Sequence, residues 1–120
     1  MRYLVRILKS LSDETRLRIL NMLYERECCV CEIIDVLNIS QPRASHHLGA
    51  MYNAGLLKMR RVGIYSLYSI DRENLEYYAI DILKAVREGL GGDETTRSDL
   101  VKLHAAQRLI PSCFGSAGCG

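Results

Sequence analysis

Between Val30 and Gly55 the chain spells out two short helices joined by a turn too brief to hold anything else. Val30, Ile33, Ile34 and Leu37 recur at helical spacing, and Asn38-Ile39 makes the turn. Ser40 then stands where a hydroxyl can cap a new helix, with Pro42 in the first turn, where its missing N–H is no loss. Leu48, Met51 and Tyr52 mark the inner face of that second helix. Ala54-Gly55 ends it, Gly55 being suited to a left-handed cap. A pair this tightly spaced crosses at a steep angle and leaves the start of its second helix standing clear of the body.

The flanks complete the frame. Leu4, Ile7, Leu8 and Leu11 predict a first helix over Tyr3–Leu11, and Ser12, followed by Asp13 and Glu14, predicts the cap of a second that runs to about Glu25. Leu57–Arg61 and Ile64–Ile70 read as extended segments around Val62-Gly63, a hairpin. Asp71 is expected to cap a long helix carrying Leu75, Tyr78, Ala79, Ile82, Leu83 and Val86, ended by Gly89, Gly91 and Gly92. Residues 93–109 predict a further, weaker helix, and Pro111–Gly120 a flexible end. The expected fold is mainly α with a small β-hairpin wing, a winged helix-turn-helix. Residues 1–92 form the DNA-binding and dimerisation domain, and residues 93–120 a C-terminal extension with two cysteines.

At 120 residues one domain is expected, with a core small enough to make a dimer attractive. Leu4, Ile7, Leu8 and Leu11, with Leu75, Tyr78, Ile82 and Val86, are the candidate homodimer surface. No apolar run reaches membrane-spanning length, and Arg6 and Lys9 break any leader-like core, so a cytoplasmic protein without membrane partner is expected.

A net charge of only +2 says little by itself; its placement says more. Ser40, with the free N–H groups behind it, can hold phosphate, while Gln41, Arg43 and Ser45 project from the first turns and can reach base edges or phosphates of double-stranded operator DNA. His46 and His47 follow a turn later, one to contact the backbone and the other to support the fold. Lys58, Arg60 and Arg61 beside the glycine turn supply phosphate or minor-groove contacts, with Tyr65 a candidate on the wing. A solvated charged hairpin is the bland reading of the wing alone; beside the helix pair, DNA binding is the better one. A dimer would set two such helices into successive major grooves about 34 Å apart.

Five cysteines remain, too many and too odd in number for a disulfide framework. Cys28, Cys29 and Cys31 crowd the start of the third helix, just before the DNA reader, while Cys113 and Cys119 lie in the tail. Read as one helix, Cys28 and Cys31 are neighbours, whereas Cys29 and Cys31 point nearly opposite ways at about 100° per residue. Ligation by all three would then unwind the helix locally and move the reader, which couples the two sites. Soft thiols select thiophilic ions; three suit trivalent arsenic or antimony, and cadmium or lead with help from elsewhere. No permanent cofactor is expected. No nucleophile, base and orienter gather for catalysis, so no enzyme is expected.

With these motifs in place, the chain resembles the arsenic-responsive branch of the ArsR/SmtB repressors. The resemblance rests on Glu27-Cys28-Cys29-Val30-Cys31-Glu32-Ile33, Ser40-Gln41-Pro42 through Ser45-His46-His47-Leu48, Ala54-Gly55-Leu56-Leu57 and Arg60-Arg61-Val62-Gly63. It implies an apo dimer on an arsenic-resistance operator, released when arsenite or antimonite binds the third-helix thiols. Cys29 and Cys31 hold the motif positions. Where relatives carry a third cysteine this chain has Ile34, so Cys28 is the nearer substitute and Cys113 or Cys119 the tail alternative. A cadmium/lead-responsive or thiol-redox-responsive repressor of the same fold is the alternative function; an arsenate reductase is the less favoured one.

Overall fold

A computed structural model describes residues 1–106. In chain order the elements are α1 (Arg2–Leu11), α2 (Glu14–Glu25), β1 (Cys28–Cys29), α3 (Val30–Leu37), α4 (Gln41–Asn53), β2 (Leu57–Val62), β3 (Tyr65–Ile70), α5 (Tyr77–Leu90) and α6 (Glu94–Ala106). The helix pair, the hairpin and the flanking helices stand where the apolar spacing puts them.

Local chemistry sets the boundaries. Asp13, not Ser12, caps α2: its carboxylate accepts from Arg16 N at 3.0 Å, an ionised acceptor being stronger than a hydroxyl. Asn38 closes α3 with a left-handed φ of 55°, a conformation its short polar side chain tolerates. Ser40 Oγ accepts from Arg43 N at the start of α4, and Gly55 leaves it at φ 89°. The long helix begins later than expected, at Tyr77 with Glu76 as cap. Asp71 instead holds a local turn, its carboxylate taking both contacts from the Asn74 amide while its own N–H bonds Leu56 O. Gly89 lies inside α5, and Gly91 is its cap.

The sheet has an order of β1-β3-β2, all antiparallel, so the hairpin gains a third strand from the cysteine segment. Ile7, Ile19, Leu23, Ile33, Leu48 and Leu56 are among the buried side chains of a single core. The helix predicted beyond residue 93 belongs to that core through Ala106. Leu103 is fully buried, and Asp99 takes a bidentate pair from Arg18 of α2 at 2.9 Å for each bond. Of the expected dimer surface, Ile7, Leu11 and Leu75 are core, while Leu8 and Tyr78 are exposed and Leu4, Ile82 and Val86 half-buried. Among the described residues no helix is long and apolar enough to cross a membrane.

Candidate functional site

The three clustered cysteines do not share a helix. Cys28 and Cys29 form β1, Cys29 doubles as the cap of α3, and only Cys31 is helical. The opposition expected of Cys29 and Cys31 on one helix therefore does not arise. Cys29 is extended (φ −85°, ψ 161°), which turns its side chain toward Cys31, and the two sulfurs meet as a disulfide with Cα atoms 5.3 Å apart. Cys28 goes the other way, because successive strand residues alternate. It pairs with Tyr68 on the core face of the sheet, is fully buried, and its thiol approaches Arg26 O at 3.4 Å. Burial pushes that thiol up to about 12, against the opposing charge of Arg26. With Cys29 and Cys31 bonded to each other, this alternation sets Cys28 Sγ on the face of β1 away from them, so the local trio expected from the sequence is not gathered in this structure. Cys113 and Cys119 lie outside the described residues, and among the described residues no three His, Cys, Asp or Glu gather around a point that could hold a metal.

The start of α3 is fixed by one carboxylate. Glu32 reaches back to accept Cys29 N–H at 2.9 Å, and its oxygens take Arg26 Nη1 and Nη2 at 3.2 and 2.6 Å. Arg26 also donates to Glu27 O and, from Nη2, to Leu103 O of α6. Glu27, next to Cys28, is held by Arg60 of the wing through two bonds of 2.7 and 2.8 Å. The thiol segment is thus clamped between α6 on one side and the hairpin on the other. Sequence reading missed Arg26, Arg16 and the capping role of Glu32; the spacing of Glu32 three residues after the cap was the available signal for the last.

Cys31, which is exposed, and Cys29, which is buried, line a cleft of about 380 Å³ between α3, the wing and the first turns of α4. Val30, Ile34, Gln41, Ser45 and, from the wing, Ile64, Tyr65, Ser66 and Tyr68 complete its walls, which are polar and apolar in similar measure. The sulfur pair and two of the residues expected to read DNA therefore line the same space.

On α4, Ser40, Gln41, Arg43, Ser45 and His46 are exposed, as a groove-reading surface requires. His47 is not part of it. It is buried and accepts from Arg16 Nε through Nδ1 at 3.1 Å, which places its proton on Nε2, and burial holds it below its ordinary pKa. Its place is structural, joining α4 to α2. On the wing, Arg61 is exposed on the face shared with Ser66, while Lys58 and Arg60 share the other face and are engaged by Glu73 and Glu27. Tyr65 pairs with Val62 beside the Gly63 turn and is half-buried.

A family model described as "Bacterial regulatory protein, arsR family" matches residues 13–58, the span from the cap of α2 through the helix pair. Over 116 residues the chain is 40% identical to the arsenical resistance operon repressor of Escherichia coli K12, covering 94% of this chain and 91% of that one. The chain belongs to the ArsR family. The arsenical resistance operon repressor of Staphylococcus xylosus is 35% identical over 69% of this chain and 82% of its own length. Among solved structures, the homodimeric winged helix-turn-helix DNA-binding domain of Mycobacterium bovis Mb0332 superposes with a TM-score of 0.64 at 25% identity, covering 78% of this chain and 82% of that one. This ArsR-family chain is therefore a winged helix-turn-helix regulator, not an enzyme.

Proposed function

We propose that the protein is a thiol-responsive transcriptional repressor. In the ligand-free, reduced state a homodimer holds operator DNA with Gln41, Arg43, Ser45 and His46 of each α4 in the major groove and Arg61 of each wing on the flanking backbone. Trivalent arsenic or antimony bound by Cys29 and Cys31 releases it. One observation carries the reading: Cys29 and Cys31 line the same cleft as Gln41 and Ser45. A ligand seated on those sulfurs occupies space beside the groove-reading residues and acts on them directly. Coupling of this kind needs only a ligand that fits one arrangement of α4 and the wing better than the other. The arsenical-resistance repressors among its relatives and the homodimeric neighbour are consistent with the inducer and the dimer.

The bonded state of Cys29 and Cys31 favours a second reading, in which oxidation of the pair is the signal. Closing the bond draws the cap of α3 onto its first turn and changes the same cleft wall.

Operator sequence selected from random duplex, then titrated by fluorescence anisotropy, separates the two. Arsenite and peroxide are added in turn to the reduced wild type and to Cys29→Ser and Cys31→Ser. Both variants are expected to bind DNA and to ignore arsenite. Release by arsenite that persists in both would defeat the metalloid reading, and release by peroxide alone would establish the redox one.

A further inference from the structure

The three cations of β2 differ in how firmly the protein itself holds them. Arg61 has no carboxylate partner among the described residues. Lys58 meets Glu73 through one contact of 3.1 Å, and that carboxylate is 79% exposed. Arg60 is taken by both oxygens of Glu27, donating from Nε at 2.8 Å and from Nη2 at 2.7 Å, and Glu27 is only 29% exposed. The partners of this fork are far apart in sequence. Glu27 stands just before β1, and β3 separates β1 from β2, so the carboxylate reaches across the middle strand. Leu67 of β3, paired with both Cys29 and Arg60, is buried there.

Two parallel N–H···O bonds are also the way a guanidinium takes a phosphate. Glu27 therefore fills the donors that Arg60 would offer to DNA, and its charge opposes a backbone approaching the same face. Arg60 adjoins Arg61, about 3.4 Å along the strand, so a wing laid on DNA carries both arginines to it. We propose that Glu27 is an internal stand-in for operator phosphate, which occupies Arg60, withholds it from DNA and so sets a ceiling on operator affinity. This rests on the operator-binding reading above and adds to it a residue that acts through Arg60. Holding one phosphate contact per wing in reserve has a consequence for release. A ligand displaces the repressor only by its differential affinity for the bound and free arrangements, and a complex one contact weaker yields to a smaller difference.

The test uses the reduced full chain on the selected operator duplex, titrated by anisotropy over a series of salt concentrations. Glu27→Gln keeps the shape of the side chain and removes its charge. It is expected to tighten binding about threefold at the lowest salt and to steepen the fall of log affinity with log salt by about 1 per protomer. Two double variants share the net charge of the wild type and separate a freed Arg60 from a general gain of positive field. Glu27→Gln/Arg60→Gln should return to the wild-type slope, whereas Glu27→Gln/Lys58→Gln should keep the steeper one. Unchanged operator binding in Glu27→Gln overturns the proposal, since the pair is then structural alone. Return of both double variants to the wild-type slope overturns it as well, because net charge would then explain the gain. Either result leaves the repressor reading standing, whereas a wild type that selects no duplex removes both.

Discussion

Replacing Glu32 with alanine removes three interactions that together set the start of α3. The Cys29 N–H loses its acceptor at 2.9 Å, and the Arg26 guanidinium loses both carboxylate contacts. Loss of a helix cap costs about 1 kcal/mol. Breaking a buried ion pair from one side costs about 3–5 kcal/mol, because the remaining charge stays behind without its partner. Arg26 is 25% exposed and keeps two carbonyl acceptors, Glu27 O and Leu103 O, which places its share at or below the lower end. The expected loss is therefore about 3 kcal/mol in total, a large fraction of the roughly 5–15 kcal/mol that holds a domain together. Urea unfolding at one fixed protein concentration reads it as a fall in midpoint with little change in slope. The double variant Arg26→Met/Glu32→Leu removes the stranded charge as well and is expected to recover most of the loss. A Glu32→Ala protein within about 1 kcal/mol of wild type, or a double variant no better than the single, would show that this carboxylate does not anchor the thiol segment.

Three further outcomes follow from the same geometry. Leu103→Ala, a fully buried position on α6, is expected to destabilise the protein by about 2–5 kcal/mol in the same urea assay; a loss under about 1 kcal/mol would mean that α6 is not part of the core. His47 is held below its ordinary value of 6.5 by burial, so the unfolded chain takes up a proton first as pH falls. Stability is then flat above that value and declines as pH drops below it, and His47→Gln should flatten that part of the profile; an unchanged profile in the variant would contradict the assignment. Arg43→Ala is expected to weaken operator binding and lower the slope of log affinity against log salt by about 1, with Lys58→Ala, whose ammonium already faces Glu73 at 3.1 Å, doing less. Equal slopes for Arg43→Ala and wild type would remove Arg43 from the phosphate contacts.

What could be read in the sequence was what repeats or punctuates. Apolar spacing located the helices, Ser40 and Gly55 bracketed α4, and Gly63, at φ 60°, marked the wing turn. The geometry of the cysteines was not legible, because it depends on a two-residue strand too short to show alternation. Pairing with Tyr68 and Leu67 makes Cys28-Cys29 extended, and those partners lie some forty residues away. His47 was ambiguous for a similar reason: its burial is decided by Arg16 on another helix. Lys58 and Arg60 read as free cations until the fold brought Glu73 and Glu27 beside them. Asp71 looked like a helix cap, yet Asn74 offered its side chain a closer partner. In each case local chemistry was right about what the residue can do, and long-range packing chose among the options.

Thermodynamic reciprocity offers the most direct test of the coupling itself. If a ligand on Cys29 and Cys31 weakens DNA binding by some factor, bound DNA must weaken ligand binding by the same factor. The affinity of the reduced chain for arsenite, measured by calorimetry with and without saturating operator duplex, should fall in the presence of DNA by the ratio found in the release experiment. An arsenical affinity that operator DNA leaves unchanged would contradict the account.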